Sequence, residues 1–158
     1  MSANQFQPHI LILPEDDANR DIAIGFRLLV KDRQFQIEDV AGGWRRVMEV
    51  FLTDYASEMR KYPRRYTILL LDFDGHPEER LDWAREQIPE ELRPRVFVLG
   101  ALTEPEDLRP GFGPYESIGK ALAADCREGT DTVWGDALLR HNSGEVERLR
   151  QSVRDILF

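Results

Sequence analysis

Tyr66-Thr67-Ile68-Leu69-Leu70-Leu71-Asp72-Phe73-Asp74-Gly75 is the stretch that decides how this chain folds. A β-favouring, apolar run leads directly into two carboxylates and a glycine. An uninterrupted apolar run reads as a strand buried on both faces, the pattern of a sheet covered by helices. Such a strand delivers its terminal charges to the C-terminal edge of the sheet, where open α/β folds bind ligands. Alternate residues of an extended strand share a side, so the spacing turns Asp72 and Asp74 toward one site and Phe73 away from it. Neighbouring carboxylates repel unless a proton or a cation lies between them. Paired oxygen donors of this kind suit Mg²⁺ or Mn²⁺.

A second apolar run upstream, His9-Ile10-Leu11-Ile12-Leu13, ends in the same way, at Pro14-Glu15-Asp16-Asp17. Glu15 joins the candidate ligands, with Asp16 and Asp17 as weaker ones. Asp16 or Asp17 also caps the helix that the spacing of Ile22, Ile24, Phe26, Leu29 and Val30 predicts. Residues 35–40 alternate and read as a strand near an edge. The turn at Ala41-Gly42-Gly43 then opens an amphipathic helix with Val47, Met48, Phe51, Leu52, Tyr55 and Met59 on one face. The run from Arg60 to Arg65 is the dense basic patch of the sequence, and it reads as a solvated helix end whose cations favour the helix dipole.

Beyond Gly75, a helix over 77–88 precedes a fourth strand at 95–100. The C-terminal third reads as helical at 115–127 and near 133–139, with a last helix capped by Ser143. The Gly/Pro-rich segment 109–114 is a loop. Strands alternating with helices mean a mostly parallel sheet. The expected fold is α/β, a Rossmann-like three-layer sandwich on a mostly parallel four-stranded central sheet. It forms one domain over 1–158, with a core over about 8–100 and a helical C-terminal extension over about 101–158.

The chain has 158 residues, 32% of them charged, with a net charge of −8, so it is expected to be soluble and to have one core. No apolar run reaches the roughly 20 residues of a membrane span, and no secretory leader is expected. A single cysteine, Cys126, fits a reducing cytoplasm and a packed side chain. The acidic balance argues against a general nucleic-acid coat protein, but not against a metal-dependent nuclease. His76, beside the aspartate pair, is a further candidate metal or phosphate contact. Trp44, Trp83 and Trp134 are dispersed and read as packing residues.

Glu15 after the first strand, Gly42-Gly43 after the second and Asp72-Phe73-Asp74 after the third resemble the pattern of the TOPRIM domain of topoisomerases, primases and OLD-type nucleases. The resemblance spans roughly residues 9–100. It departs at Asp16, where that family usually has glycine. It implies Mg²⁺-dependent phosphodiester chemistry with Glu15, Asp72 and Asp74 as catalytic and metal-binding residues, nucleic acid as substrate, and a separately encoded ATPase as partner. The acidic cluster at 15–17 and Asp72 also resemble the receiver domain of response regulators, with Asp72 as phosphoacceptor. Gly100 and Ala101 stand where receivers have Ser or Thr, and Lys120, the remaining lysine for their switch, falls in a helical pattern. Asp72-Phe73-Asp74-Gly75 resembles haloacid dehalogenase-like phosphatases less well, since two strands precede it and His76 follows the glycine.

Overall fold

The computed structural model describes residues 2–31 and 33–158. Its centre is a four-stranded, all-parallel sheet in the order β2-β1-β3-β4. The strands are β1 (His9–Pro14), β2 (Phe35–Ile37), β3 (Arg65–Leu70) and β4 (Val96–Leu99). Strand β1 is buried along its whole length and pairs with β3 from His9↔Arg65 to Pro14↔Leu70. Both strands therefore end together, and the residues that follow each one emerge side by side.

Helices cover both faces, as the continuous apolar runs require. On one face lie α1 (Asp17–Arg27), α6 (Tyr115–Glu128) and α7 (Ser143–Leu157), packed on Ile10, Ile12, Phe35, Ile68, Leu70, Phe97 and Leu99. On the other lie α2 (Trp44–Val50), α3 (Ala56–Lys61) and α4 (Pro77–Gln87), packed on Leu13, Leu69, Leu71, Val96 and Val98. The C-terminal third is thus half of one covering layer rather than an appendage. A further single turn, α5 (Arg109–Phe112), lies within the segment expected to be loop. Helices α1 and α6 touch backbone to backbone: a Cβ on Gly25 would overlap the Glu116 carbonyl, and one on Gly119 the Ile22 carbonyl. That contact fixes α1, and with it the residues at its N-terminus. Among the described residues no helix is long and apolar enough to cross a membrane.

Three expectations need correction. Residues 133–139 form turns, not a helix. The Asp125 carboxylate accepts hydrogen bonds from the backbone N–H of Val133 (2.6 Å) and Trp134 (3.1 Å), which commits those donors away from a helix. Ser143 is the first residue of α7 and does not cap it; the chain enters through a 3₁₀ turn at Arg140–Asn142. The stripe on the helix after Gly43 breaks at Leu52, which is 38% exposed. A π-helical turn at Phe51–Tyr55 joins α2 to α3, and its wider spacing rotates Leu52 outward while Ala56 turns in.

Strand β4 is an edge, and α7 closes it with side chains. Asn142 Oδ1 accepts from the Gly100 N–H at 3.2 Å and its Nδ2 donates to the Gly100 carbonyl at 2.9 Å. One turn on, Glu145 Oε2 accepts from the Val98 N–H at 3.3 Å. Another turn on, Arg148 Nη2 donates to the Arg93 carbonyl at 2.7 Å, ahead of the strand. Residues at i, i+3 and i+6 share a helix face, so one face of α7 does the hydrogen bonding of a fifth strand and blunts the edge. The carboxylate of Glu145 is itself buried and is bonded by Arg85 and Arg148. Asn142→Ala strips the Gly100 N–H of its acceptor in a buried setting, while the Gly100 carbonyl keeps His141 Nε2 at 2.8 Å. The substitution should cost about 2–3 kcal/mol, read as a lower urea midpoint at unchanged slope; a change within 0.5 kcal/mol would mean the edge does not depend on this amide.

Candidate metal centre

In the order β2-β1-β3-β4 the chain leaves β1 toward one edge and returns to β3 on the other side. The β1/β3 boundary is therefore the topological switch point, where a crevice opens at the C-terminal ends of the strands. Glu15 and Asp16 follow β1 there and Asp72 follows β3. One ligand oxygen from each of Glu15, Asp16 and Asp72 lies within 4.8 Å of the others.

Each carboxylate is held by one oxygen. The Asp72 N–H donates to Glu15 Oε2 at 2.6 Å, while the Glu15 N–H donates to the Leu70 carbonyl, so the two strand ends are cross-tied. Asp16 is the N-cap of α1, accepting from the Asn19 N–H at 3.0 Å. Asn19, 1% exposed, forks its Nδ2 to Asp16 Oδ1 and to Asp72 Oδ1, at 2.9 Å each. Among the described residues, Glu15 Oε1, Asp16 Oδ2 and Asp72 Oδ2 have no hydrogen-bond donor. Carboxylate oxygens are hard donors, and three of them within 4.8 Å of one another fit Mg²⁺ or Mn²⁺. Gly42 and Gly43, at φ +93° and +142°, turn β2 into α2 while both N–H groups bond the Glu15 carbonyl. Those φ values exclude most side chains.

Asp17 is the first residue of α1 and exposed. Asp74 is not one of the three converging groups. The strand has ended at Leu70, so alternation no longer applies: Asp74 and Gly75 take left-handed φ of +48° and +79°. Asp74 turns to Arg80, whose Nη1 donates to Asp74 Oδ2 at 2.6 Å and to the Asp72 carbonyl at 2.8 Å. Phe73 is buried as expected, edge-on to His141. His76 is exposed at the N-cap of α4. Asn19 and Arg80 were not singled out from the sequence; an asparagine three residues after a capping aspartate is the one local signal for the first.

Burial pushes the Asp72 carboxyl up to about 7, with the Glu15, Asp16 and Asp74 charges adding to it and the Asn19 amide opposing. Glu15 is raised too, first by burial, and the Asp72 N–H and Arg80 oppose. A carboxyl whose folded pKa exceeds its unfolded value favours folding in its protonated form. Its contribution is complete below about pH 4 and is lost as pH rises toward 7. In metal-free buffer, Asp72→Asn should therefore gain stability relative to wild type between pH 4 and 8, on the order of 2–4 kcal/mol. Urea melts across that range check it, and a pH-independent difference would contradict the burial argument.

Comparison with protein-family models, with curated proteins and with solved structures gives no match.

Proposed function

We propose that the chain is a Mg²⁺- or Mn²⁺-dependent enzyme of phosphodiester chemistry on nucleic acid, with Glu15, Asp16 and Asp72 as the metal ligands; Glu15 and Asp72 belong to the TOPRIM-like pattern, and Asp74, its third acid, lies beside them. The carrying observation is the convergence of three carboxylates, each with a free oxygen, at the switch point of a parallel sheet. Asp72 is the buried member and has no cation on its carboxylate among the described residues. Bound there, the ion would supply Lewis acidity to a phosphate oxygen and a lowered pKa to a water. Asn19 fixes one oxygen each of Asp16 and Asp72 and leaves the other of each without a protein donor among the described residues. Burial raises Glu15 above the ordinary carboxylate range, the direction a general base needs. A separately encoded ATPase, which the resemblance implies, is the proposed partner.

The receiver reading has less support. The sheet has four strands, and Lys120 lies exposed in α6. Gly100 has no room for a side chain, since a Cβ would overlap the Leu71 carbonyl.

The test pairs activity with binding. Wild type should cleave single- or double-stranded DNA or RNA with Mg²⁺ or Mn²⁺, and Asp72→Asn or Glu15→Gln should lose at least about 100-fold. Mn²⁺ at about 100 times its dissociation constant should raise the wild-type melting temperature by roughly 5–10 °C, and neither variant's. Absence of both effects, or phosphate transferred from acetyl phosphate to Asp72, would overturn the proposal.

A further inference from the structure

The site is acidic and the whole chain carries a net charge of −8, so a polyanionic strand gains nothing from the overall field. Any contact to its phosphates has to be local. The Arg60–Arg65 run does not provide it. Arg60 pairs with Glu91 and Lys61 with Glu58. Arg65 begins β3, buried and bonded to His9, so this run lies at the sheet edge opposite the acids.

The cation bonded into the loop of the site is Arg80, and Trp44 carries a second, Arg45, on the same ring. The Gly42-Gly43 turn that grips the Glu15 carbonyl places Trp44 at the start of α2. The Trp83 ring meets Trp44 edge-on at 4.9 Å and fixes it. The Arg80 guanidinium lies 3.7 Å from the centre of the Trp44 ring, and that of Arg45 lies 4.8 Å from it. A guanidinium stacked on an indole keeps its in-plane N–H groups free for other acceptors.

Arg80 uses only Nη1 within the protein, for Asp74 and the Asp72 carbonyl. Its Nε and Nη2 have no acceptor among the described residues, and neither is sealed from solvent. Its side chain is 10% exposed against 49% for Asp74, so the arginine is held rigid by the indole and the loop while its remaining donors stay open. Arg45 is exposed and has no carboxylate partner among the described ion pairs. Arg80 is bonded to the loop that carries Asp72, and Arg45 shares the Trp44 ring with it.

We propose that Arg80 and Arg45, stacked on Trp44, form the phosphate-contact wall of the acidic site. Arg80 takes a non-bridging oxygen of the scissile region and Arg45 a neighbouring phosphate of the same strand. The proposal rests on the metal-dependent phosphodiester reading and names its backbone contacts. Rigid N–H donors on a planar cation match phosphate oxygens in a way a lysine ammonium does not.

The test is fluorescence anisotropy of a labelled single-stranded oligonucleotide, DNA and RNA in turn, with Ca²⁺ in place of Mg²⁺ to hold back cleavage. Titrations run from about 50 to 200 mM NaCl. Arg80→Met should weaken binding about tenfold and reduce the slope of log K against log salt by about one phosphate contact. Arg80→Lys should recover the charge but only part of the affinity. Arg45→Gln, a surface change that leaves the fold intact, should lower the slope by a similar step, and covers the case in which the Arg80 variants melt early. Wild type that cleaves, with affinity and slope unchanged in Arg80→Met and Arg45→Gln, overturns the wall and leaves the metal site standing. Binding that falls in both variants without any metal-dependent cleavage supports the wall and removes the enzyme reading. Wild type that neither binds nor cleaves overturns both.

Discussion

The structure is organised around an electrostatic conflict: three carboxylates are gathered at the ends of β1 and β3, where burial first and neighbouring acidic charges second disfavour ionisation of Asp72 and Glu15. The protein offsets the conflict chiefly with dipoles, the Arg80 charge adding the smallest contribution at Glu15. The Asp72 N–H points at Glu15, and one buried amide, Asn19, is divided between Asp16 and Asp72. Among the described residues, the one guanidinium in the hydrogen-bond network of the loop gives its Nη1 to the Asp72 carbonyl and to Asp74 instead. A purely structural cluster would be expected to be neutralised by an arginine or diluted by water, since an unpaired buried charge costs several kcal/mol. The retained repulsion, with one oxygen of each carboxylate lacking a protein donor among the described residues, is the observation on which the proposed cation site rests.

The scaffold supplies the rigidity this requires. Paired from end to end, β1 and β3 bring Glu15 and Asp72 out in register. Helix α1 is locked against α6 through Gly25 and Gly119, which anchors Asp16 and Asn19. The far edge of the sheet needs no fifth strand, because Asn142 and Glu145 of the α7 region bind the outward N–H groups of Gly100 and Val98. The cavity of about 430 Å³ between α4 and α7 is a by-product of that arrangement, lined by Arg85, Arg148 and the Glu145 they neutralise.

Much of this was legible in the sequence because burial on two faces writes continuous apolar runs. His9–Leu13 and Tyr66–Leu71 announced the central strands, and the acids following them announced the edge that carries the site. What the sequence concealed were the contacts made at a distance. Asp74 looked equivalent to Asp72 by strand alternation, but the strand ends at Leu70 and the left-handed turn hands Asp74 to Arg80. The Asp125 carboxylate that holds 133–134 in turns acts from another element, α6. The π-helical turn at Phe51–Tyr55 shifts a stripe that plain helical spacing cannot register. Asn19 was invisible for the same reason: its second partner lies 53 residues away.

The central claim is that Glu15, Asp16 and Asp72 are arranged for a divalent cation. The most direct measurement is anomalous diffraction from crystals grown with Mn²⁺. The account predicts one strong peak at the C-terminal ends of β1 and β3, roughly 2–2.6 Å from one carboxylate oxygen each of Glu15, Asp16 and Asp72. Crystals at high Mn²⁺ with no peak there, and with the three carboxylates unmoved, would contradict it.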